Sequence, residues 1–230
     1  DGEFSQIPAA ELFYNSSSET IYLDEQQLKE AQTCHLPLAG DLVDKVSSLE
    51  VQSFGNAEFV EDRRFGSVLQ FDGQGDFLRH AAVDELGFNG SYTIASWIYL
   101  EDKGDLKHPF EQALFSNNSS VYNGSLVLLI RRHHPYQAHL SNDSISSMVL
   151  GNKRWYHVTF RFHKMEQSIF INGRQVMSSS NHANLFSKDE LEIGRWGRGY
   201  FKGKMRDVRI YNKALSIKNI SELYEQSRGQ

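Results

Sequence analysis

The sequence has few of the features that hold a small domain together covalently or anchor it in a membrane. It contains one cysteine, Cys34, and four prolines in 230 residues. A single cysteine excludes an internal disulfide, and we expect a buried thiol acting as a small apolar side chain at the start of a strand. No stretch approaches the roughly 18 apolar residues that a membrane helix needs. Stability must therefore come from the core, with or without a metal.

Excess positive charge is also missing. The formal net charge is −5 and the pI is near 6.0, which argues against nucleic acid or an anionic membrane as the main partner. No signal-peptide pattern is present in this sequence, and residues 1–4 are interpreted as either a processed end or an added one. With 40% hydrophobic and 12% aromatic residues, the chain can bury a sizeable core, and we expect one domain.

The clearest pattern lies between Trp155 and Gly173. Apolar residues occupy every second position, which predicts two strands and disfavours a helix. The pair Asn172-Gly173 predicts a tight reversal and a third strand over 174–177. Similar short segments separated by Gly, Asp and Asn are predicted to be strands at 50–52, 58–60, 67–71, 76–80, 92–100, 112–116, 124–131, 137–140, 146–149, 190–193 and 204–211.

This spacing predicts an all-β fold, an antiparallel β-sandwich of two sheets. Residues 1–33 have a different, more polar texture and are predicted to be an N-terminal extension, with a short helix near 24–32. Residues 34–230 are predicted to form the sandwich domain. A closing helix is expected over 216–226, with Ser216 as its N-cap.

Seven segments in register resemble the laminin-G-like branch of the concanavalin A-like lectin and glucanase superfamily. They are PLAGDLVD, RFGSVLQFDGQGDFL, YTIASWIYLED, WYHVTFRF, IFINGRQV, LEIGRW and FKGKMRDVRIYNKALS. The resemblance covers roughly residues 34–224. It implies a jelly roll of two curved antiparallel sheets, with a concave face that binds ligands in many members.

The resemblance also implies a structural calcium on the convex side. The family's ligand positions correspond here to Asp41, Asp72, Gly73 and Asp207, and calcium accepts carboxylates together with backbone carbonyls. Aspartates beside glycine also stabilise turns without metal, so Asp41 and Asp72 stay open to that interpretation. Asp207 interrupts an apolar strand and needs a partner, which could be a metal, an arginine or a backbone N–H.

Carboxylates that could act in catalysis are few. Sugar-cleaving relatives place alternating acidic residues on one strand at roughly 5 Å. Glu190 and Glu192 lie two apart, but Gly194 ends the alternation, so a solvated strand edge is the preferred interpretation and catalysis the alternative. Two groups of histidines lack a cysteine or carboxylate at metal-ligand spacing and are interpreted as exposed. They are His133-His134 with His139, and His157 with His163.

Two loops combine aromatic and basic residues, a combination suited to sugars because rings stack on sugar faces while arginines bond hydroxyls or anionic groups. The residues predicted to bind ligand are Arg131, His133, Tyr136, Arg195, Trp196, Arg198 and Tyr200. They could line one site for an acidic ligand. The alternative is that Trp196 packs on the edge of the core and the arginines are only solvated.

We therefore expect a noncatalytic module that binds carbohydrate or an extracellular protein, secreted or at the cell surface, within a larger extracellular protein. A polysaccharide-degrading enzyme and a structural adhesion or spacer domain are the alternatives. Asn-x-Ser patterns compatible with glycosylation occur at Asn15, Asn89, Asn117, Asn118, Asn123, Asn142 and Asn219.

Overall fold

Two antiparallel sheets pack face to face around one core. The structure, a computed structural model, describes residues 20–88, 90–102, 111–117, 126–139, 142–180 and 189–229. Its elements are α1 (Glu25–Ala31), β1 (Gln32–Leu36), β2 (Gln52–Phe54), β3 (Glu58–Asp62), β4 (Gly66–Asp72), β5 (Phe77–Ala82), β6 (Tyr92–Leu100), β7 (Glu111–Ser116), β8 (Leu126–Arg131), β9 (His134–His139), β10 (Asn142–Ile145), β11 (Trp155–His163), β12 (Glu166–Ile171), β13 (Arg174–Ser179), β14 (Glu190–Ile193), β15 (Arg195–Trp196), β16 (Gly199–Tyr200), β17 (Lys202–Tyr211) and α2 (Ile217–Ser227).

The strands separate into two sheets and a small hairpin. Sheet I has the order β13-β12-β11-β6-β17-β4-β3, and β1 also pairs with β17. Sheet II has the order β10-β9-β8-β7-β14-β5-β2, and β15 pairs only with β16. All these pairs are antiparallel. The predicted antiparallel β-sandwich of two sheets is confirmed.

The core lies between the sheets because alternate side chains of each strand point inward. Ile94, Ile98 and Val158 of sheet I meet Leu114 and Leu128 of sheet II in one buried cluster. Cys34 is completely buried in the same cluster, which confirms the prediction of a buried thiol. The Asn172-Gly173 turn has φ angles of 50° and 76°, as the predicted tight reversal requires.

The outer face of sheet I is covered by helix. Helix α2 begins at the N-cap Ser216, whose hydroxyl accepts from the backbone N–H of Asn219, and it buries Ile220 and Leu223 against Ala95 and Phe170. The predicted closing helix is thus confirmed. Neither helix of the described ranges is long and apolar enough to cross a membrane.

The described part of the predicted N-terminal extension packs against the same surface. The short helix α1 has Asp24 as its N-cap in a capping box, and its Leu28 and Ala31 contact the α2 cluster. Asn219 of α2 binds the backbone of Leu23 through both its side-chain oxygen and nitrogen. A domain boundary at residue 33 stays a prediction.

One predicted strand is wrong. Residues 146–149 form a loop, and the strand at that place is β10, which pairs with β9 through Ile145 and Tyr136. The hydroxyl of Ser146 accepts from the N–H of Met148, which turns the chain away from the sheet. Met148 and Val149 are left exposed, so their apolar character indicated a strand where none forms.

Candidate functional site

The outer face of sheet II carries most of the residues that the sequence predicts to bind ligand. No helix of the described residues packs on it, in contrast to sheet I. The glycine-rich segment 194–200 contains the β15–β16 hairpin, which lies against β7. This hairpin brings Arg195, Trp196, Arg198 and Tyr200 onto the open sheet.

Backbone contacts fix the hairpin in place. The N–H of Gly194 donates to the carbonyl of Leu114 at 2.9 Å, and the Ser116 hydroxyl donates to the carbonyl of Arg195 at 2.8 Å. Gly194 has a φ of +89°, and a Cβ at this position would lie 2.9 Å from the ring of Phe71. Only glycine therefore allows the chain to leave β14 so close to the core.

Trp196 joins the two predicted loops. Its half-buried ring packs against Val127, Leu129 and Tyr136 on the outer face of sheet II. The indole Nε1 is buried and has no hydrogen-bond partner among the described residues. Trp196 thus does pack down, as the alternative interpretation held, and it packs on the cluster that contains Tyr136, which is 7% exposed; we call Trp196 and Tyr136 the aromatic platform.

Two of the three arginines around this platform are paired with a glutamate, and Arg198 is in none of the ion pairs of the described residues. Arg131 lies 3.4 Å from Glu111 and 5.3 Å above the Tyr136 ring, and Arg195 lies 3.2 Å from Glu192. Among the other predicted residues, Arg198 and Arg131 are exposed, whereas Tyr200 and His133 are half-buried. Because glutamates neutralise Arg131 and Arg195, the platform is polar without being a strong anion site.

A charged ladder beside the platform was missed from the sequence. Arg79 of β5 contacts Glu190 at 3.3 Å and Glu192 at 3.1 Å, and its guanidinium lies 4.8 Å above the ring of Phe54. A cleft of about 180 Å³ opens here, lined by Leu49, Glu50, Gln52, Arg79, His80, Ala81 and Glu190. Pairing of β2, β5 and β14 creates this surface, and no local motif indicates such pairing.

The interpretation of Glu192 as a solvated edge residue is wrong. Glu192 is 4% exposed and its Oε1 accepts from both Arg79 and Arg195. Glu190 is exposed and contacts only Arg79 among the ion pairs of the described residues. Glu192 thus occupies the position of a structural carboxylate between two guanidinium groups.

His157 is not exposed, contrary to the interpretation above. It is 1% exposed and packs against the rings of Trp97 and Tyr224, at centroid distances of 5.3 and 5.9 Å. Burial lowers its pKa from 6.5 to about 4. The negative charge of Asp207 acts to raise this pKa, and the positive charge of Arg209 acts to lower it. Helix α2 causes the burial, because it covers the outer face of sheet I.

The residues implied for calcium binding do not all lie close enough together to bind one ion. Lys202 pairs with Asp72, so Asp207, five residues further along β17, is about 15 Å from Asp72 at the rise of a strand. Ligands of one calcium ion lie within about 5 Å of one another, because each is 2.3–2.6 Å from it. Asp72 and Gly73 therefore do not fit the same ion as Asp207.

Asp207 already has partners in the protein. It sits in a bulge of β17 with a φ of 56°, and its Oδ1 lies 2.8 Å from both His35 Nε2 and Arg209 Nε. Burial opposes ionisation, but the His35 hydrogen bond and Arg209 lower the Asp207 pKa below 3.8. An arginine is thus one of its partners, as the sequence allowed. Oδ2 is buried without a partner among the described residues.

Asp41 and Asp72 form local turn contacts. Asp41 is exposed and accepts from the N–H of Val43 and from Lys45, while Asp72 accepts from the N–H of Gln74. These contacts match the turn interpretation. The chain at Gly40 lies near Ser67 of β4, toward the Asp207 end of the strand, so Asp41 is nearer to Asp207 than Asp72 is.

Two of the Asn-x-Ser positions are poor glycosylation acceptors. Asn117 and Asn219 are each 1% exposed, and their side-chain oxygens accept from the N–H of Leu126 and of Leu23 respectively. Asn15, Asn89, Asn118 and Asn123 lie outside the described residues, as does the side chain of Asn142.

Comparison with known proteins gives relatives in sequence and in fold. Human usherin is 30% identical over 92 residues, which is 35% of this chain and 2% of usherin. A structure of botulinum neurotoxin type C, whose cell entry is described as dependent on two ganglioside molecules, aligns with a TM-score of 0.68 at 15% identity, over 88% of this chain and 53% of that one.

A second solved structure is matched over nearly its whole length. Domain 4 of AbnA, an extracellular arabinanase of Geobacillus stearothermophilus in complex with arabinotriose, aligns with a TM-score of 0.67 at 18% identity, over 84% of this chain and 98% of that one. At such identities the structural matches demonstrate the fold alone.

The family assignment rests on a longer sequence match. The Laminin_G_3 family model, described as concanavalin A-like lectin/glucanases superfamily, matches residues 72–221, which includes the β15–β16 hairpin and most strands of both sheets. The chain therefore belongs to the Laminin_G_3 family of the concanavalin A-like lectin/glucanase superfamily.

Proposed function

We propose that this chain is a noncatalytic carbohydrate-binding module whose ligand rests on the outer face of sheet II. The observation that carries the proposal is the half-buried Trp196, which packs on the cluster containing Tyr136 on the one sheet that no described helix covers. Aromatic rings bind the apolar faces of sugars, and neighbouring guanidinium groups bind their hydroxyls.

The contacts of the platform favour a neutral or weakly acidic glycan. Arg131 and Arg195 are each within 3.4 Å of a glutamate, so a strongly anionic ligand would have to displace an existing ion pair. Sugar hydroxyls can instead donate to the glutamates and accept from the arginines at once. The cleft beside Arg79 offers the same mixture of groups for a second sugar unit.

The solved relatives are compatible with binding on this fold. Domain 4 of AbnA was solved with arabinotriose, and the neurotoxin depends on gangliosides. The chain spans about half of the neurotoxin structure and 2% of usherin. We therefore propose that this chain is part of a larger extracellular protein, secreted or at the cell surface, with a carbohydrate or an extracellular protein as its partner. The family and the Asn-x-Ser positions support this.

The noncatalytic role is supported by the state of the carboxylates. Glu192 is clamped by two arginines and Glu190 by one, whereas a retaining pair needs one carboxyl able to give a proton to the leaving oxygen. A polysaccharide-degrading enzyme stays the alternative, and reducing-sugar release that is abolished in Glu190→Gln would favour it. A spacer domain would bind no glycan.

A structural calcium is a separate proposal with a smaller ligand set. The buried, unpartnered Oδ2 of Asp207 and the nearby Gly40-Asp41 turn support it. Arg209 and His35 on the other carboxylate oxygen oppose it, because they already compensate the charge. When bound, calcium would tie β17 to the turn that follows β1.

A glycan array with the purified chain tests the main proposal. We expect binding to a defined set of glycans, competed by the free sugar and lost in Trp196→Ala. Absence of binding to any glycan would favour the spacer alternative. Binding that Trp196→Ala leaves unchanged would place the ligand elsewhere on the molecule.

A further inference from the structure

Three side chains of metal-ligand type meet inside the sandwich, apart from the platform. Cys34 of β1, Asp44 of the following loop and His80 of β5 place one potential ligand atom each within 4.8 Å of the others. It is the one such group of three in the part of the chain that the structure describes. The side chains of Asp44 and His80 are 0% exposed, and so is Cys34.

The Asp44 carboxylate is held in a fixed orientation. Its Oδ1 accepts the backbone N–H of His35 and of Val46, both at 2.9 Å, and its Oδ2 accepts the Ser47 hydroxyl at 2.6 Å. Burial acts to raise its pKa, but these hydrogen bonds and that of His80 lower it well below 3.8. The cluster therefore contains a buried anion with a rigid surrounding shell.

The imidazole of His80 is only half satisfied. Nε2 lies 3.0 Å from Asp44 Oδ2, and because that carboxylate is ionised, Nε2 carries the hydrogen. Nδ1 is buried and has no hydrogen-bond partner among the described residues. A metal ion held between the three side chains would meet Nε2, the nitrogen that faces Asp44, so the hydrogen of Nε2 would move to Nδ1 on binding.

The ligand types select the class of metal. Thiolate and imidazole prefer zinc and similar transition metals, whereas calcium and magnesium require several oxygen ligands. A divalent ion with one thiolate, one carboxylate and one neutral imidazole has zero net charge, which minimises the penalty for burying the ion. We propose that Cys34, Asp44 and His80 form a buried site for a divalent zinc-class metal ion.

The cluster is closed to solvent, although a cleft lies beside it. His80 forms part of the lining of the 180 Å³ cleft that Gln52 and Arg79 also line, but its side chain is 0% exposed, so an ion, with a water as its fourth ligand, would enter through local opening of the structure. Burial and the neighbouring Asp44 raise the Cys34 pKa well above 9.0, so the metal-free thiol is protonated. On binding, the thiol proton passes to solvent and the sulfur donates its electron pair to the metal.

Cobalt is a direct probe because it reports its ligands by absorption. Chain purified in chelator and then dialysed would be titrated with Co²⁺ and, by calorimetry, with Zn²⁺. We expect one ion per chain, a thiolate-to-cobalt charge-transfer band, and d–d bands of a four-coordinate ion. Cys34→Ser should abolish the charge-transfer band and weaken zinc binding by roughly 100-fold or more.

The matched control is His163→Gln, which changes a half-buried histidine outside the cluster and should alter neither result. Cys34 is the only cysteine of the chain, so a charge-transfer band in the unmodified protein identifies it even if Cys34→Ser does not fold. Zinc should also raise the melting temperature of the unmodified protein. Cobalt binding without the charge-transfer band, or no binding, would overturn the proposal.

Discussion

The indole Nε1 of Trp97, on the outer face of sheet I, donates a hydrogen bond to the Ser227 hydroxyl at the end of helix α2, over 3.0 Å. The contact is buried, and it ties the end of α2 to the central strand β6. Together with Ile220 and Leu223, it makes the helix an integral part of the sandwich, and this position of the helix determines which sheet is left for a ligand.

Removal of a buried apolar side chain from α2 should therefore destabilise the whole domain. Ile220 is 0% exposed, and we expect Ile220→Ala to lower the free energy of unfolding by about 2–5 kcal/mol. Urea denaturation monitored by tryptophan fluorescence measures it. Lys218→Ala, at a side chain 68% exposed on the same helix, should change stability by less than about 0.5 kcal/mol. Equal effects would mean that α2 is not docked as described.

His157 should make stability depend on pH. Its pKa is about 4 in the folded protein, compared with an ordinary value of 6.5. Between pH 4 and pH 6.5 this histidine is therefore protonated in the unfolded chain and neutral in the folded chain. Unfolding free energy should thus fall as pH is lowered from 6.5 to 4, by roughly 3 kcal/mol, and this loss should level off below pH 4.

The variant His157→Gln should show a flatter profile over the same range. Denaturation at half-unit steps of pH compares the two proteins. The partly buried His163, whose pKa is also lowered, adds a dependence of the same sign to both, so their difference isolates His157. Asp44 and Asp207, with pKa values below 3.8, contribute a further loss at lower pH. Parallel profiles would contradict the burial of His157.

The turn between β12 and β13 should respond to any side chain at Gly173. A Cβ there would lie 3.2 Å from Ser221 Cα and 3.3 Å from Tyr224 Cβ in α2, and φ is +76°. Gly66→Ala is a matched control, because φ is +67° with open space around it. We expect about 1 kcal/mol of destabilisation for Gly66→Ala and about 2–3 kcal/mol for Gly173→Ala. Equal losses in thermal melting would show that α2 moves aside freely.

Glycan affinity should depend on the aromatic platform. For a glycan found on the array, Trp196→Ala should weaken binding by about tenfold or more, because stacking area is lost at the centre of the site. Tyr22→Ala removes an aromatic that is 44% exposed beside α2 and should leave affinity unchanged. Isothermal calorimetry measures both variants. If only Tyr22→Ala weakened glycan binding, the binding site would lie on the side of sheet I that α2 covers.

Calcium binding should depend on Asp207 and be independent of Asp72. We expect added calcium to raise the melting temperature, chelator to reverse the rise, and Asp207→Asn to abolish it. Asp72→Asn should keep the effect, since Asp72 lies about 15 Å along the sheet. If calcium did not raise the melting temperature of the unmodified protein, the proposed calcium site would be wrong. If both variants lost the effect, Asp72 would be a ligand together with Asp207.

Much of this fold could be predicted from local patterns. Tyr92–Leu100 and Trp155–His163 alternate apolar residues at a period of two, and Ser216 precedes an amphipathic segment, so these elements follow from neighbours in the chain. The strand β10 was misplaced because it lies at the edge of sheet II, where a strand needs no apolar alternation and the exposed Met148 and Val149 misled the assignment.

The features that could not be predicted depend on distant segments. Burial of His157 requires α2 to lie across sheet I, and the pairing of the buried Glu192 with Arg79 requires β5 to lie beside β14. The cluster of Cys34, Asp44 and His80 likewise forms only when β1 and β5 enter the same core. Trp196 and Tyr136 were predicted to bind ligand because their loops combine aromatic and basic residues. That both belong to one cluster is a result of tertiary structure.

The β15–β16 hairpin is held by hydrogen bonds from Ser116 and to Leu114 before any ligand arrives. A sugar that settles on Trp196 would therefore not have to freeze a mobile segment, and little conformational entropy would be lost on association. Even a short oligosaccharide, with few atoms to contribute, could then be retained by such a preorganised surface.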